Sequence, residues 1–132
     1  MPGAIIRAVR TAAQRVGDAA EARIAARLIG AGWTLLGTHV RVGRAELDIV
    51  AIDPGPPRQL VIVEVRWRQR RDYGLPEETV DRRKLTRLHG AGQVLRERGA
   101  LPSGVPVPLL PLRVDLVAVE PGDRIRHYQH WV

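Results

Sequence analysis

The sequence predicts a single α/β domain in which one mixed β-sheet carries a helix on each face. The predicted element order is α-β-β-β-α-β-β. The 132 residues suit one domain better than two. Two long stretches free of internal proline have helical patterns, and five shorter apolar stretches are separated by turn signals. Helices and strands in this order pack as layers on a shared sheet.

Both helices have recognisable ends in the sequence. The first is predicted over residues 4–29, because this stretch is rich in alanine and is closed by Gly30. The second is predicted over residues 76–98. It begins at Pro76 followed by two acids, which favour a helix N-terminus, and it is stopped by Gly99.

The five strands are bounded by Gly- and Pro-rich turns. A short turn at residues 43–44 and a Pro-rich turn at 53–57 make the second strand an antiparallel neighbour of the first and the third. Residues 1–132 therefore form one domain, with 1–16 as an N-terminal helical extension. The predicted strands are 33–42, 45–52, 60–67, 112–120 and 124–132.

Composition narrows the function classes. The chain has no cysteine, which excludes disulfides, thiolate metal sites and cysteine nucleophiles and favours a reducing, cytoplasmic location. No apolar stretch is long enough to insert into a membrane. A net charge of +7 favours polyanionic partners, with nucleic acid first.

Four charged residues lie inside apolar strands, where acids are unusual. Glu46 and Asp48 lie on the second strand, and Glu64 and Arg66 on the third. If all four share one face, the pairing sets Asp48 opposite Glu64 and Glu46 opposite Arg66. Two opposed carboxylates repel unless a cation binds between them or one holds a proton.

Two interpretations of this acidic cluster stay open on the residues alone. In the first, Asp48, Glu64 and Glu46 bind a metal ion, and oxygen ligands favour Mg²⁺ or Mn²⁺. In the second, Glu46–Arg66 is an ordinary cross-strand ion pair and Arg68 neutralises Glu64.

Three segments resemble the YraN-type family of small bacterial proteins, which has a restriction-endonuclease-like PD-(D/E)XK fold similar to that of Holliday-junction resolvases. They are residues 43–51 (GRAELDIVA), 63–68 (VEVRWR) and 113–117 (RVDLV), within a resemblance that extends from residue 17 to the C-terminus. The resemblance implies that Asp48 and Glu64 bind the metal and that Glu46 is an accessory. It also implies that Glu21, on the first helix, supports the metal or its water.

The chain departs from the family pattern at Arg66, where the third motif has lysine. Arginine stays charged and cannot act as a general base, but it can orient a water or stabilise transition-state charge. Lys84 is the only lysine and shares a helical stripe with Leu88 and Leu95. Its ammonium either approaches the sheet and replaces the missing lysine, or extends to solvent.

Arginines flank the acidic cluster and predict a nucleic-acid-binding surface, since their forked donors suit phosphate oxygens. Arg113 and Asp115, on the fourth strand, are interpreted as structural. His127 and His130 fall on opposite sides of a strand, so we expect surface histidines rather than a metal site. The predicted nucleic-acid-binding residues are Arg66, Arg68, Arg70, Arg71, Arg82, Arg83 and Arg87.

The sequence therefore favours a Mg²⁺- or Mn²⁺-dependent endonuclease that hydrolyses phosphodiester bonds in DNA, preferably branched or single-stranded. Its predicted catalytic residues are Glu21, Asp48, Glu64, Arg66 and Lys84. The first alternative is a non-catalytic nucleic-acid-binding module with a degenerate nuclease fold, and the second is an interaction subunit of a larger assembly. Analogy with resolvases adds a homodimer as an open expectation.

Overall fold

The computed structural model describes residues 12–67 and 82–129. Within them, two helices and five strands follow one another in the predicted order α-β-β-β-α-β-β. The elements are α1 (Ala12–Gly30), β1 (Thr34–Val42), β2 (Ala45–Asp53), β3 (Gln59–Trp67), α2 (Arg82–Arg98), β4 (Leu112–Glu120) and β5 (Arg124–Tyr128).

The element boundaries agree with the sequence predictions to within two residues wherever both ends are described. The predicted starts of the two helices and residues 130–132 of the predicted fifth strand lie outside the described residues. The agreement follows from the glycine and proline residues in the turns, because these residues determine where each apolar stretch ends.

One mixed sheet contains all five strands, in the order β1-β2-β3-β4-β5. Neighbouring strands are antiparallel except β3 and β4, which are parallel. A parallel pair needs a long crossover, and α2 lies in that connection. The mixed sheet flanked by helices is therefore confirmed.

Each face of the sheet has its own hydrophobic core. On the α1 side, Ile24 and Leu28 pack against Val61 and Val63 of β3. On the α2 side, Leu88, Ala91 and Leu95 pack against Leu60 and Ile62 of the same strand, as the predicted helical stripe requires. Because β3 is covered on both faces, Glu64 enters a region where unpaired charge is costly.

Candidate metal and nucleic-acid site

The regular alternation of β2 breaks at Asp48. Leu47 and Val50 belong to the core on the α2 side, whereas Ile49 belongs to the core on the α1 side. Residues three apart face opposite sides of a regular strand, so the strand must change its facing between Leu47 and Val50. The paired positions of β2 and β3 run from Asp53–Gln59 to Ile49–Val63, and Asp48 follows directly after them.

Asp48 and Glu64 meet where this ladder ends. The backbone N–H of Val65 donates a hydrogen bond of 2.9 Å to Asp48 Oδ2, so the carboxylate takes a backbone donor of β3. Burial, followed by the negative charge of Glu64, raises the pKa of Asp48 to about 8 from 3.8. The two side chains also hydrogen-bond to each other. Near neutral pH Asp48 therefore holds a proton.

Two cations pair with Glu64. Lys84 Nζ lies 2.5 Å from Glu64 Oε2, and Arg66 lies 3.5 Å from the same oxygen. The Glu64 side chain is only 5% exposed, so these cations offset most of the cost of burying its charge. Lys84 thus leans towards the sheet, which was one of its two expected positions, and α2 carries it there.

Helix α1 brings a third acid, Glu21, to the same end of the sheet. Its Oε2 lies 2.8 Å from His39 Nε2, but the angles do not suit a hydrogen bond and this buried oxygen has none among the described residues. Burial raises the pKa of Glu21, and the negative charges of Asp18, Glu46 and Glu64 add to the rise while His39 opposes it. Glu21 therefore lies within electrostatic reach of the strand acids.

Glu46 differs from its predicted position. It pairs with Arg41 of β1 at 3.2 Å and with His39 at 3.5 Å, while Arg66 pairs with Glu64. Among the described residues Arg66 pairs with Glu64, so the alternative of a Glu46–Arg66 ion pair was wrong, and the condition that all four charged residues share one face is not met. The physical reason is the break at Asp48, which leaves Glu46 on the α1 side and Glu64 beside α2.

Sequence reasoning missed two neighbours of Glu21. Ligand atoms of Asp18, Glu21 and His39 lie within 4.8 Å of one another, a spacing that could hold a metal ion. The one available signal was the three-residue spacing of Asp18 and Glu21, which puts both on one helix face. His39 gave no signal, because its position depends on a left-handed backbone, with φ 51°, inside β1.

The basic surface near this cluster is described in part. Arg82, Arg83 and Arg87 are exposed on the first turns of α2, the helix that also carries Lys84. Arg68, Arg70 and Arg71 lie outside the described residues, so their predicted place in the surface, and the Arg68–Glu64 alternative, stay predictions.

A second polar network lies further along β4. Arg113 holds Asp115 through two hydrogen bonds of 2.8 and 2.9 Å and pairs with Asp53 at 2.9 Å. Arg113 and Asp115 are both buried, with Asp115 at 0% exposure, which agrees with the interpretation of this pair as structural. His127 is exposed, as expected of a surface histidine, and its Nε2 also lies 2.8 Å from Asp115 Oδ2. His130 lies outside the described residues.

The sheet and the acid cluster together define a mixed α/β protein in which two acids, Asp48 and Glu64, meet at the point where two central strands stop pairing. The chain belongs to the Uncharacterised protein family UPF0102, which matches residues 20–119. The resemblance to the YraN-type family is thereby confirmed as a family assignment.

Three relatives illustrate the extent of this similarity, and each is named only as a UPF0102 protein. The protein of Symbiobacterium thermophilum is 38% identical over 112 residues, which cover 83% of this chain and 85% of the relative. That of Roseiflexus castenholzii is 36% identical over 110 residues, covering 83% and 82%. That of Sphingopyxis alaskensis is 33% identical over 122 residues, covering 92% and 95%.

Neither α1 nor α2, the helices of the described ranges 12–67 and 82–129, combines the length and apolar character needed to span a membrane.

Proposed function

We propose that this protein is a metal-dependent endonuclease that hydrolyses phosphodiester bonds in DNA, with branched or single-stranded DNA preferred. The observation that carries the proposal is the meeting of two acids, half-buried Asp48 and buried Glu64, where the β2–β3 ladder ends and the charge of Glu64 helps to raise the pKa of Asp48. Structural ion pairs place opposite charges together. A pair of acids instead favours any cation that can replace the proton on Asp48.

The donor set suits a hard divalent ion. Asp48 and Glu64 offer only oxygen, and each has one oxygen held by the protein, by Val65 N–H and by Lys84 respectively. Such ligands fit Mg²⁺ or Mn²⁺ better than zinc. Glu46 is 48% exposed and engaged with Arg41, so it fits an accessory role. A bound divalent ion would supply a water of lowered pKa and would screen the phosphate charge.

The remaining site residues have roles set by their chemistry. Arg66 keeps its charge at all relevant pH values, so it stabilises developing negative charge and does not accept a proton. Lys84 holds Glu64 in place and supplies the ammonium that the family's motif carries on β3. Glu21 has a raised pKa. Its carboxyl group therefore accepts hydrogen bonds from water when ionised, or donates one when protonated, near the strand acids.

The DNA backbone would lie along the start of α2. The exposed Arg82, Arg83 and Arg87 present forked donors to phosphates without a base-reading motif, which favours recognition of DNA structure over sequence. Like the other nucleic-acid assignments, a homodimer stays a proposal, by analogy with resolvases.

Cleavage of labelled branched and single-stranded DNA with Mn²⁺ tests the activity. Asp48→Ala should eliminate cleavage while DNA binding is kept, because it removes a metal ligand and no phosphate contact. Asp123→Asn, an exposed acid on the β4–β5 turn, is the matched control and should cleave like the wild type. Equal cleavage by wild type and Asp48→Ala would refute the site.

A second candidate function is DNA binding without catalysis, and one observation favours it. Lys84 and Arg66 already neutralise Glu64, so the protein's own cations satisfy part of the need for a metal. Single-turnover rates of Arg66→Lys and Lys84→Ala separate the two. If Lys84 supplies the ammonium, Arg66→Lys changes the rate little and Lys84→Ala is inactive. If neither wild type nor Arg66→Lys cuts any DNA or RNA structure with metal bound, the binding module is the correct function.

A further inference from the structure

A cavity of about 240 Å³ lies on the α1 side of the sheet, between the end of α1 and strands β4 and β5. Its described lining residues differ from those of the acid cluster. Leu28, Trp33 and Val117 are among its apolar walls, and Arg27, His127 and Gln129 supply polar groups. An apolar cavity of about 150 Å³ already accepts a benzene ring. The volume therefore suits one ring system with a small substituent.

His127 is held at this cavity by a buried acid. Its Nε2 lies 2.8 Å from Asp115, which is 0% exposed and bound at both oxygens by Arg113. A carboxylate only accepts hydrogen bonds, so Nε2 is the nitrogen engaged with Asp115 and Nδ1 is the second ring nitrogen. This contact orients the His127 ring, as supporting carboxylates do for functional histidines.

Trp33 provides a flat wall beside the histidine. The two ring centroids are 5.8 Å apart with planes tilted by 50°. The Arg113 guanidinium carbon lies 5.5 Å from the centre of the indole ring, and Trp33 is only 9% exposed, so the wall is braced from within the protein. Trp33 and His127 therefore give one side of the cavity an aromatic surface that a planar ligand can contact.

The charge at the cavity is positive. Arg27 is exposed on the last turns of α1, and its guanidinium favours a carboxylate or phosphate. Gln129 adds an amide that both donates and accepts.

We propose that this cavity binds a small planar aromatic or heteroaromatic molecule that carries a negative group. The ring lies against Trp33 and His127 at the cavity wall, a polar group of the ligand bonds to His127 Nδ1, and the anion pairs with Arg27. Nucleoside monophosphates and aromatic carboxylates share this chemistry. The proposal does not depend on the nuclease function.

Isothermal titration of the full chain with adenosine 5′-monophosphate, and separately with indole-3-acetate, tests the site. At least one probe should bind, and whichever binds identifies the source of the ligand. Arg27→Gln should weaken binding at least tenfold. Arg15→Gln, the same change at an exposed position of the same helix, should leave binding unchanged.

Ala31→Trp supplies the second variant, since Ala31 is an exposed lining residue and a larger side chain there blocks the cavity without entering the core. Binding should be lost in Ala31→Trp and kept in Arg82→Gln, which changes only the proposed DNA surface. Failure of both probes to bind wild type, or equal binding by wild type and Ala31→Trp, would overturn the proposal.

Discussion

At the scale of single residues, the chemistry of the site centres on the buried carboxylate of Glu64, which has both cations and another acid as neighbours. Glu64 pairs with two cations, Lys84 and Arg66, and its charge adds to the burial that raises the pKa of Asp48 to about 8. A cation bound between the two acids would compete with the proton on Asp48. A change of pH and a change of metal concentration therefore act on the same group.

The raised pKa of Asp48 gives a pH dependence of stability whose sign follows from linkage. Between the unfolded value of 3.8 and the folded value of about 8, the folded state binds more protons. Stability from this group is therefore fully present below pH 4 and is lost as pH rises through 8. With a chelator present to remove metal ions, the melting temperature should fall from pH 5 to pH 9. The raised pKa of Glu21 contributes to the same fall.

Asp48→Asn isolates that contribution because the amide keeps an oxygen for the Val65 N–H. Its melting temperature should be less dependent on pH than that of the wild type, and higher at pH 9. Thermal melts of both proteins across this range provide the measurement. Parallel curves would mean that Asp48 does not hold the extra proton.

Metal binding should have the opposite effect on the same pair. Mg²⁺ or Mn²⁺ bound by Asp48 and Glu64 stabilises the folded state by mass action, by about 2.7 kcal/mol at 100 times Kd. The melting temperature should rise with ion concentration in the wild type and stay constant in Glu64→Gln. Glu97→Gln, an exposed acid on α2, is the matched control and should respond like the wild type. An identical metal response in Glu64→Gln would rule out the site.

At the scale of elements, the sequence predicted where the strands lie but not how β2 turns its faces. The positions of glycine and proline were enough to predict the strand ends. The observed pairing of Ile52 with Leu60 is the even register that the short turn between β2 and β3 favours. The face of Glu46 could not be predicted, because the break between Leu47 and Val50 depends on packing against both helices. The position of the His39 side chain likewise depends on a left-handed backbone conformation, which no local sequence pattern predicts.

The contact between α2 and the sheet relies on a close approach at Gly92. A Cβ there would lie 2.8 Å from Leu112 Cδ1 and 3.1 Å from Ile62 Cγ1, whereas a Cβ at Gly90 would meet nothing within 4 Å. This helix also positions Lys84, so its seating on β3 and β4 affects the site as well as the core.

Alanine substitutions at these two glycines test the seating of α2. Gly90→Ala should stabilise by about 0.5–1 kcal/mol through helix propensity. Gly92→Ala gains the same propensity but overpacks the core, so it should be less stable than Gly90→Ala by about 1–3 kcal/mol. Urea unfolding measures both free energies. Equal gains at the two positions would mean that α2 does not approach the sheet this closely.

At the scale of the whole molecule, a net charge of +7 accompanies a candidate site that is built on acids. Arg82, Arg83 and Arg87 are exposed on α2, the helix whose Lys84 pairs with Glu64. A polyanion bound by these arginines would be repelled by the acids unless the acids bear a cation or a proton.

Salt dependence of DNA binding tests this charge distribution. Each arginine that contacts a phosphate contributes about 0.9 to the slope of log K against log salt for duplex DNA. Arg82→Gln combined with Arg83→Gln should therefore weaken binding and lower the slope by about two. Arg58→Gln combined with Arg98→Gln removes the same charge from exposed positions elsewhere and should have little effect on the slope. Fluorescence anisotropy with a branched DNA over a salt series measures both pairs. If the two double variants lose affinity and slope equally, DNA is held by overall charge and the start of α2 is not its binding surface.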